Sequence, residues 1–381
     1  MLPQKQIPRA GHNTQHAGIE AWRFNFKGNL FGPLIFISGI TFIGTAAGMK
    51  HKTIIDIAKK LKLSPSTISR ALNNHPDIKE STRAKIKKVA VEFNYRPNAI
   101  AQSLKKNRTN TIGVLVPEIK HDFFSSAISG IEEIAYKSGY TIILCQSDEN
   151  YEREVVNTNL LMHQRVAGVI VSVSENTRVG GHFNDLLNAG IPIAFFDRSC
   201  DSVIADKVII DDYRSAFDAV AYLIAKGYKR IAHFAGPQTL EISQKRMKGF
   251  IDALKQANMP LIDGFVIDGE LHESHGYKSM DELIQKKNVP DAVFAVNDIV
   301  AMGAFRRIKE VGLRIPEDIA VLGFSNSRLT TMVSPTLTVI DQFPFEMGKK
   351  AASMLIEMIE GKRTKPKTFI IESKLIIRES T

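Results

Sequence analysis

The sequence predicts two kinds of structure in one chain: a small all-α module, then a larger α/β body built as two lobes. Three observations carry this expectation. Basic charge is concentrated in one short segment: residues 50–108 hold 15 Lys/Arg against 4 Asp/Glu, whereas the chain from 111 onward holds 31 against 35. Within the basic segment the apolar residues recur at helical spacing. From Thr111 the pattern changes to short β-rich runs separated by amphipathic stretches, the signature of parallel sheets covered on both faces. The 381 residues, 44% hydrophobic and 24% charged, are globular in composition and enough for two or three domains. Collagen-like, disordered and polytopic membrane classes are excluded. The two cysteines, Cys145 and Cys200, supply neither a disulfide framework nor a CxxC zinc site, which points to a reducing cytoplasm.

Residues 1–48 carry no period that can be phased, and they read as an extension that is disordered or precedes the true start at Met49. Leu30 to Gly48 is uncharged and close to the ~20 residues of a membrane span. Four glycines and Pro33 interrupt it, and both flanks are basic, so charge gives no orientation. A tethering helix therefore stays open as a second reading, and no membrane partner is expected unless that segment inserts.

Ordered periodicity begins after Met49. Ile54, Ile57, Ala58 and Leu61 form one face of a short helix. Lys62-Leu63 make a turn. Ser64 then supplies a capping hydroxyl before Pro65, which fits the first helical position because its missing N–H is not needed there. Ile68 and Leu72 give the second helix its inward face, leaving Pro65, Ser66, Thr67, Ser69 and Arg70 outward. Two short helices with a tight turn match the helix-turn-helix pattern, in which such outward residues enter the major groove. An ordinary helical hairpin with a solvated face fits the same spacing. A third helix is predicted over Ser81–Asn94, with Ile86, Val89, Ala90 and Phe93 closing a three-helix core. After Pro97, Ala99 to Leu104 could form a short helix, too short to hold without a partner.

The runs DIAKKLKLSPSTISRALNNHPDIKESTRAKI and FNYRPNAIAQSLKKNRTNTIGVLVPEI resemble the amino-terminal signature of the LacI/GalR family of bacterial transcription regulators. The match is dense over residues 53–118 and continues in weaker blocks to the carboxyl end. The resemblance implies a helix-turn-helix DNA-binding domain over 49–97, a hinge helix and linker over 98–108, and a periplasmic-binding-protein-like effector domain over 111–381. It implies a DNA-contacting set of Thr53, Ser64, Pro65, Ser66, Thr67, Ser69, Arg70, Asn73, Tyr95, Asn98, Ala101, Leu104 and Lys105. Leu104 matches the leucine that wedges into the minor groove, where an apolar side chain unstacks a base step and kinks the duplex. Lys79 departs from the family's serine cap, so the third helix is expected to fray or to be capped by Asp77. The implied partners are double-stranded palindromic operator DNA, a small-molecule effector and a second copy of the chain. No cofactor is implied.

In the body, strands are predicted at 111–116, 141–146, 168–173, 191–197, 207–211, 230–236, 291–297 and 319–325, with helices such as Ser125–Ser138 and Ser215–Lys226 between them. About 270 residues exceed one such sheet, hence two lobes. The resemblance assigns roughly 111–226 and 343–361 to one lobe and 227–325 and 362–381 to the other. Ligands of open α/β sheets bind beyond the carboxyl ends of strands. The residues there are His121 and Asp122-Phe123-Phe124, Asp197 and Arg198, Asn297 and Asp298, and Ser325 with Asn326; Arg246 arrives on the helix after 230–236. By resemblance, Asp197-Arg198, Arg246 and Asn297-Asp298 are effector contacts. The candidate effector set is His121, Phe124, Asp197, Arg198, Arg246, Asn297, Asp298 and Ser325. Asp298 can equally cap the helix after it, Asp197 can pair with Arg198, and Phe123 and Phe124 can belong to the core. Ser325 stands where the family often has Asp. Positive charge on Arg198 and Arg246 beside Asp197 and Asp298 would suit a carbohydrate or a sugar acid.

No GxGxxG follows a strand, and neither a GxxxxGK[ST] loop nor a GxSxG elbow is present. His272-Glu273-Ser274-His275 lacks HExxH spacing and reads as a solvated helix start. The leading function is a transcription regulator, a repressor acting as a homodimer, whose operator affinity is set by a small molecule. A solute-binding receptor with the same lobes would not need the basic module, and a sugar-converting enzyme would need a catalytic constellation that is not found.

Overall fold

A computed structural model describes residues 52–72, 74–95 and 109–381, and the chain divides into two compact units at Tyr95. The extension 1–48, Asn73 and the hinge residues Asn98, Ala101, Leu104 and Lys105 lie outside the described residues.

The first unit contains α1 (Ile54–Leu61), α2 (Pro65–Leu72) and α3 (Glu80–Glu92). Ile57, Ala58, Ile68, Ala71, Ile86, Val89 and Ala90 are buried between them. The helical stripes read from the sequence therefore face one another. Thr53 starts α1, and Asp56 reaches back to its amide and hydroxyl at 2.8 and 2.9 Å, bonds that hold the Asp56 carboxyl below its usual range. Ser64 caps α2 as expected, accepting the Thr67 N–H at 3.1 Å. Asp77 does not cap α3; its carboxylate lies 3.3 Å from His75. Arg83 instead ties the preceding turn down, donating to the carbonyls of His75 and Ile78.

The second unit alternates strand and helix: β1 (Thr111–Val116), α4 (Asp122–Lys137), β2 (Thr141–Gln146), α5 (Tyr151–His163), β3 (Gly168–Val171), α6 (Gly181–Asn188), β4 (Ile193–Phe196), β5 (Asp206–Ile210), α7 (Asp212–Ala225), β6 (Ile231–Ala235), α8 (Glu241–Gln256), β7 (Val266–Asp268), α9 (Glu273–Gln285), β8 (Ala292–Ala295), α10 (Asp298–Glu310), β9 (Ala320–Phe324), α11 (Leu329–Met332), β10 (Thr338–Asp341), α12 (Pro344–Ile359), β11 (Thr368–Ile371) and β12 (Lys374–Ile376). They form two six-stranded sheets, ordered β11-β5-β4-β3-β1-β2 and β12-β10-β9-β8-β6-β7. Pairing is parallel except between β10 and β12. The central strands β1, β3, β4, β6, β8 and β9 are buried almost throughout, as sheets covered on both faces require.

The lobe boundaries expected from the resemblance need correction. Helix α7 packs chiefly on α8, beside the second sheet, so the chain crosses after β5 at about Asp211 rather than at 226. Residues 362–371 belong to the first lobe, because β11 pairs with β5 in register Thr368↔Lys207 through Ile371↔Ile210. The chain crosses again between β10 and α12, and finally between Ile371 and Lys374.

Glycines clasp helix pairs in both lobes. A Cβ on Gly130 of α4 would lie 2.1 Å from the Phe345 carbonyl, and one on Gly348 of α12 2.0 Å from that of Ala127. In the second lobe, Gly276 of α9 and Gly303 of α10 meet the carbonyls of Val300 and Glu273 at 1.9 and 2.0 Å by the same construction. Backbone, not a flexible side chain, would have to move. Gly276→Ala is expected to cost about 1–3 kcal/mol, the usual range for overpacking, read as a lower denaturation midpoint with unchanged slope.

Candidate functional site

Two places gather polar side chains aimed outward from a fixed frame. The first is α2. Its buried face, Ile68 and Ala71, fixes the rotation of the helix, and the opposite face leaves Pro65, Ser66 and Arg70 exposed with Thr67 and Ser69 half-exposed. The hydroxyls of Ser64, Ser66 and Thr67 are linked, Ser64 Oγ lying 2.8 Å from each of the other two. This cap network holds the start of the helix and gathers three small hydroxyls there. Thr53 is exposed, but its hydroxyl is engaged by Asp56. Tyr95 packs against the three-helix core, and burial pushes its phenol above the usual range.

The second place is a cleft of about 560 Å³, open mouth included. Its lining comes from the carboxyl ends of strands in both sheets. Glu118, His121, Phe123 and Phe124 follow β1, Glu149 follows β2, and Asp197 and Arg198 follow β4. From the other lobe come Ile242 and Arg246 of α8, Leu271 and His272 before α9, Asn297 after β8, Ser325 after β9 and Gln342 after β10. Asp197 and Ser325, one from each lobe, hold φ values of 60° and 72°. A non-glycine residue in that region is strained, and such strain concentrates at binding sites.

The charges in the cleft are mostly spent on one another. Arg198 donates from Nη1 to both Glu149 oxygens at 2.8 and 3.0 Å, and its Nε stands 3.8 Å from the Asp197 carboxylate. Burial would lower the Arg198 pKa, but Glu149 and Asp197 outweigh it and hold the group charged. Arg246 is bound by Asp212 at 2.7 and 2.8 Å, donates to the Val296 carbonyl at 2.7 Å, and lies 3.7 Å from the centre of the Phe324 ring. Glu149 and Asp212, carboxylates that sequence spacing does not pair with these arginines, take up much of their positive charge. Asp197 has no such relief, and burial pushes its carboxyl up to about 6 despite the two arginines.

Seven of the eight residues expected at the ligand line this cleft: His121, Phe124, Asp197, Arg198, Arg246, Asn297 and Ser325. Asp298 does not; it is fully buried, with Oδ1 accepting its neighbour's N–H at 3.0 Å. The cap of α10 is Asn297, which accepts the Val300 N–H at 2.7 Å and donates to the Leu271 carbonyl at 3.0 Å. Ser325 donates to the Gln342 amide oxygen at 2.6 Å. Phe124 is core and lining at once, edge-on to Phe123 and Phe196. Glu118, Glu149, His272 and Gln342 were missed. Glu149 follows TIILCQ, a strand already recognised, so reading its carboxyl end would have found it. Gln342 follows β10, whose four residues carry too little apolar signal. His272 does begin a helix, but His275 is not simply solvated: its ring contacts the Ala235 carbonyl at 3.0 Å, and burial lowers its pKa. Among the described residues, no three His, Cys, Asp or Glu side chains are grouped to hold a metal ion.

Comparison with known proteins gives two family matches: residues 53–98 match bacterial regulatory proteins of the lacI family, and residues 220–381 a periplasmic binding protein-like domain. The chain is 35% identical over 330 residues to the HTH-type transcriptional repressor PurR of Vibrio vulnificus, covering 86% of this chain and 98% of that one. Among solved structures, the lac repressor dimer bound to operator and the anti-inducer ONPF superposes with a TM-score of 0.77 at 25% identity, over 87% of this chain and 99% of that one. The complex of the transcriptional regulator CelR with cellobiose gives 0.67 at 27% identity, over 87% and 100%.

Proposed function

The chain belongs to the lacI family of bacterial regulatory proteins, and from that premise we propose a transcriptional repressor that binds palindromic operator DNA as a homodimer and answers to a small molecule in its interlobe cleft. The observation that carries the reading is the joining of two sites in one chain: an exposed hydroxyl-and-arginine face on a capped second helix, and a two-lobed cleft lined by charged groups from both sheets. A solute receptor would use the cleft and leave the basic helices idle. The response is by binding, with no turnover of the small molecule. A chain that acts on bacterial DNA works in the cytoplasm; no helix among the described residues is long and apolar enough to cross a membrane.

On this reading Ser66, Thr67, Ser69 and Arg70 face the major groove, Leu104 is the minor-groove wedge, and His121, Phe124, Asp197, Arg198, Arg246 and Ser325 surround the effector. Cleft closure separates the first lobes of the dimer and melts the hinge helices, so the effector induces. The test begins with selection from random duplexes. A palindromic sequence should be enriched, and its affinity should fall steeply with salt as phosphate contacts release counterions. Arg70→Ala should then cost about 1–3 kcal/mol on the selected duplex and less on random DNA if the guanidinium reads a base. Equal losses on both would make it a phosphate contact. Leu104→Ala should weaken only the selected complex, and unchanged affinity at several salt concentrations would remove the wedge.

A further inference from the structure

We propose that the cleft takes an uncharged polyhydroxylated effector, a free mono- or disaccharide, and that Glu149 excludes phosphorylated and carboxylated counterparts by holding Arg198. This rests on the regulator reading above and adds to it the charge class of the ligand and the residue that sets it.

An anion-binding pocket keeps guanidinium N–H groups unspent for the incoming oxygens. Arg246 engages all three of its guanidinium nitrogens, and Arg198 spends Nη1 on Glu149 while its Nε faces the Asp197 carboxylate, so the field around its remaining N–H groups is negative. Both Glu149 oxygens accept from Arg198 Nη1, the Asp197 carboxylate stands 3.8 Å from its Nε, and the field of Glu175 adds a third negative charge. The Arg198 side chain is 7% exposed, so water does little to dilute these charges. Arg246 is closed off by Asp212, the Val296 carbonyl and the Phe324 ring. The remaining lining adds another carboxylate, Glu118, paired at 3.3 Å with Lys120 outside the lining, and no further Lys or Arg. An entering phosphate or carboxylate thus meets more negative than positive charge, in a site where it sheds its own water.

What the cleft does leave open suits hydroxyls. Among the described residues, no donor lies within hydrogen-bonding distance of the Asp197 carboxylate, which can accept from vicinal hydroxyls. Arg198 Nε is buried without a hydrogen-bond partner and can donate to a hydroxyl or ring oxygen. Phe124 supplies an apolar surface beside them, with the Arg198 guanidinium 5.7 Å from its ring centre.

Glu149 also accepts the Glu175 N–H at 2.8 Å, a bond that glutamine at this position can keep through its amide oxygen. Glu149→Gln therefore removes charge with little change of shape. The experiment is calorimetric titration of the full chain with glucose, ribose and cellobiose, and with glucose 6-phosphate, ribose 5-phosphate and gluconate. At least one neutral sugar should bind, with its anionic counterpart at least about tenfold weaker. In Glu149→Gln that gap should narrow by about tenfold or more, and in Glu149→Asp it should persist. An anionic member binding tightest to the wild type, silence of all three neutral sugars, or an unchanged gap in folded Glu149→Gln would each overturn the proposal. Binding of the selected duplex, measured on the same samples, separates this failure from failure of the regulator reading: a chain that holds the duplex but ignores the neutral sugars remains a regulator with a different effector.

Discussion

Arg246→Ala is expected to remove about 3–5 kcal/mol from the stability of the two-lobed unit and to abolish its ligand response. Arg246 and Asp212 are each 3% exposed, and the guanidinium satisfies both the carboxylate and the Val296 carbonyl. Truncation leaves a buried charge and a buried acceptor without partners, which costs far more than the pair itself contributes. Asp212→Asn in the same chain should recover part of the loss by removing the orphaned charge. The three-helix unit has its own core and should retain DNA binding. Denaturant unfolding checks the magnitude; a loss under about 1 kcal/mol would mean that water reaches the pair, and Arg246 would lose its place as a buried support of the cleft.

Asp197→Asn should do the opposite to stability while also costing ligand. Burial raises the folded-state carboxyl to about 6, against an ordinary value of 3.8. A group raised in this way contributes stability that is fully present below the unfolded pKa and is lost as pH rises through the folded one. The unliganded unit should therefore weaken from about pH 4 to just above pH 6, by an amount on the order of 3 kcal/mol at most. Asparagine carries no charge to bury, so the variant should be more stable than wild type at pH 8 and should lack this pH-dependent loss. It should also bind effector more weakly, because a carboxylate that accepts hydroxyls is replaced by an amide. Stability that is flat in wild type over pH 4–8 would show that Asp197 is solvated. A cost to the empty protein that persists at the ligand is the usual trade between stability and binding.

Much of the architecture was legible because it depends on local rules. The stripes Ile54–Leu61 and Ile86–Phe93, the Ser64-Pro65 start and the runs 111–116 and 141–146 each state their own periodicity, and the structure keeps them within a residue or two. The strands that escaped notice are short, and three of them lie at sheet edges. In β7, β11 and β12 most residues are exposed or half-exposed, so the apolar run that marks a buried strand is missing. Strand ends likewise pointed to the cleft, because side chains that follow a parallel strand reach one rim of its sheet whatever the connection that brings them there.

The sequence by itself determined the two-part design, the capped second helix and most of the residue types at the cleft, since these follow from charge, spacing and strand polarity along the chain. Only the tertiary structure decided which of those residues are free to meet a ligand. Glu149 lies 49 residues from Arg198 and Asp212 lies 34 from Arg246, and no local period relates such pairs. Asp298 and Asn297 are neighbours, yet one is turned into the interior and the other caps a helix at the cavity wall. The crossings near residues 211, 342 and 372 bring these groups together. Charge in a buried site is settled by distance in space, through burial and Coulomb attraction, and distance in space is what a linear sequence does not print.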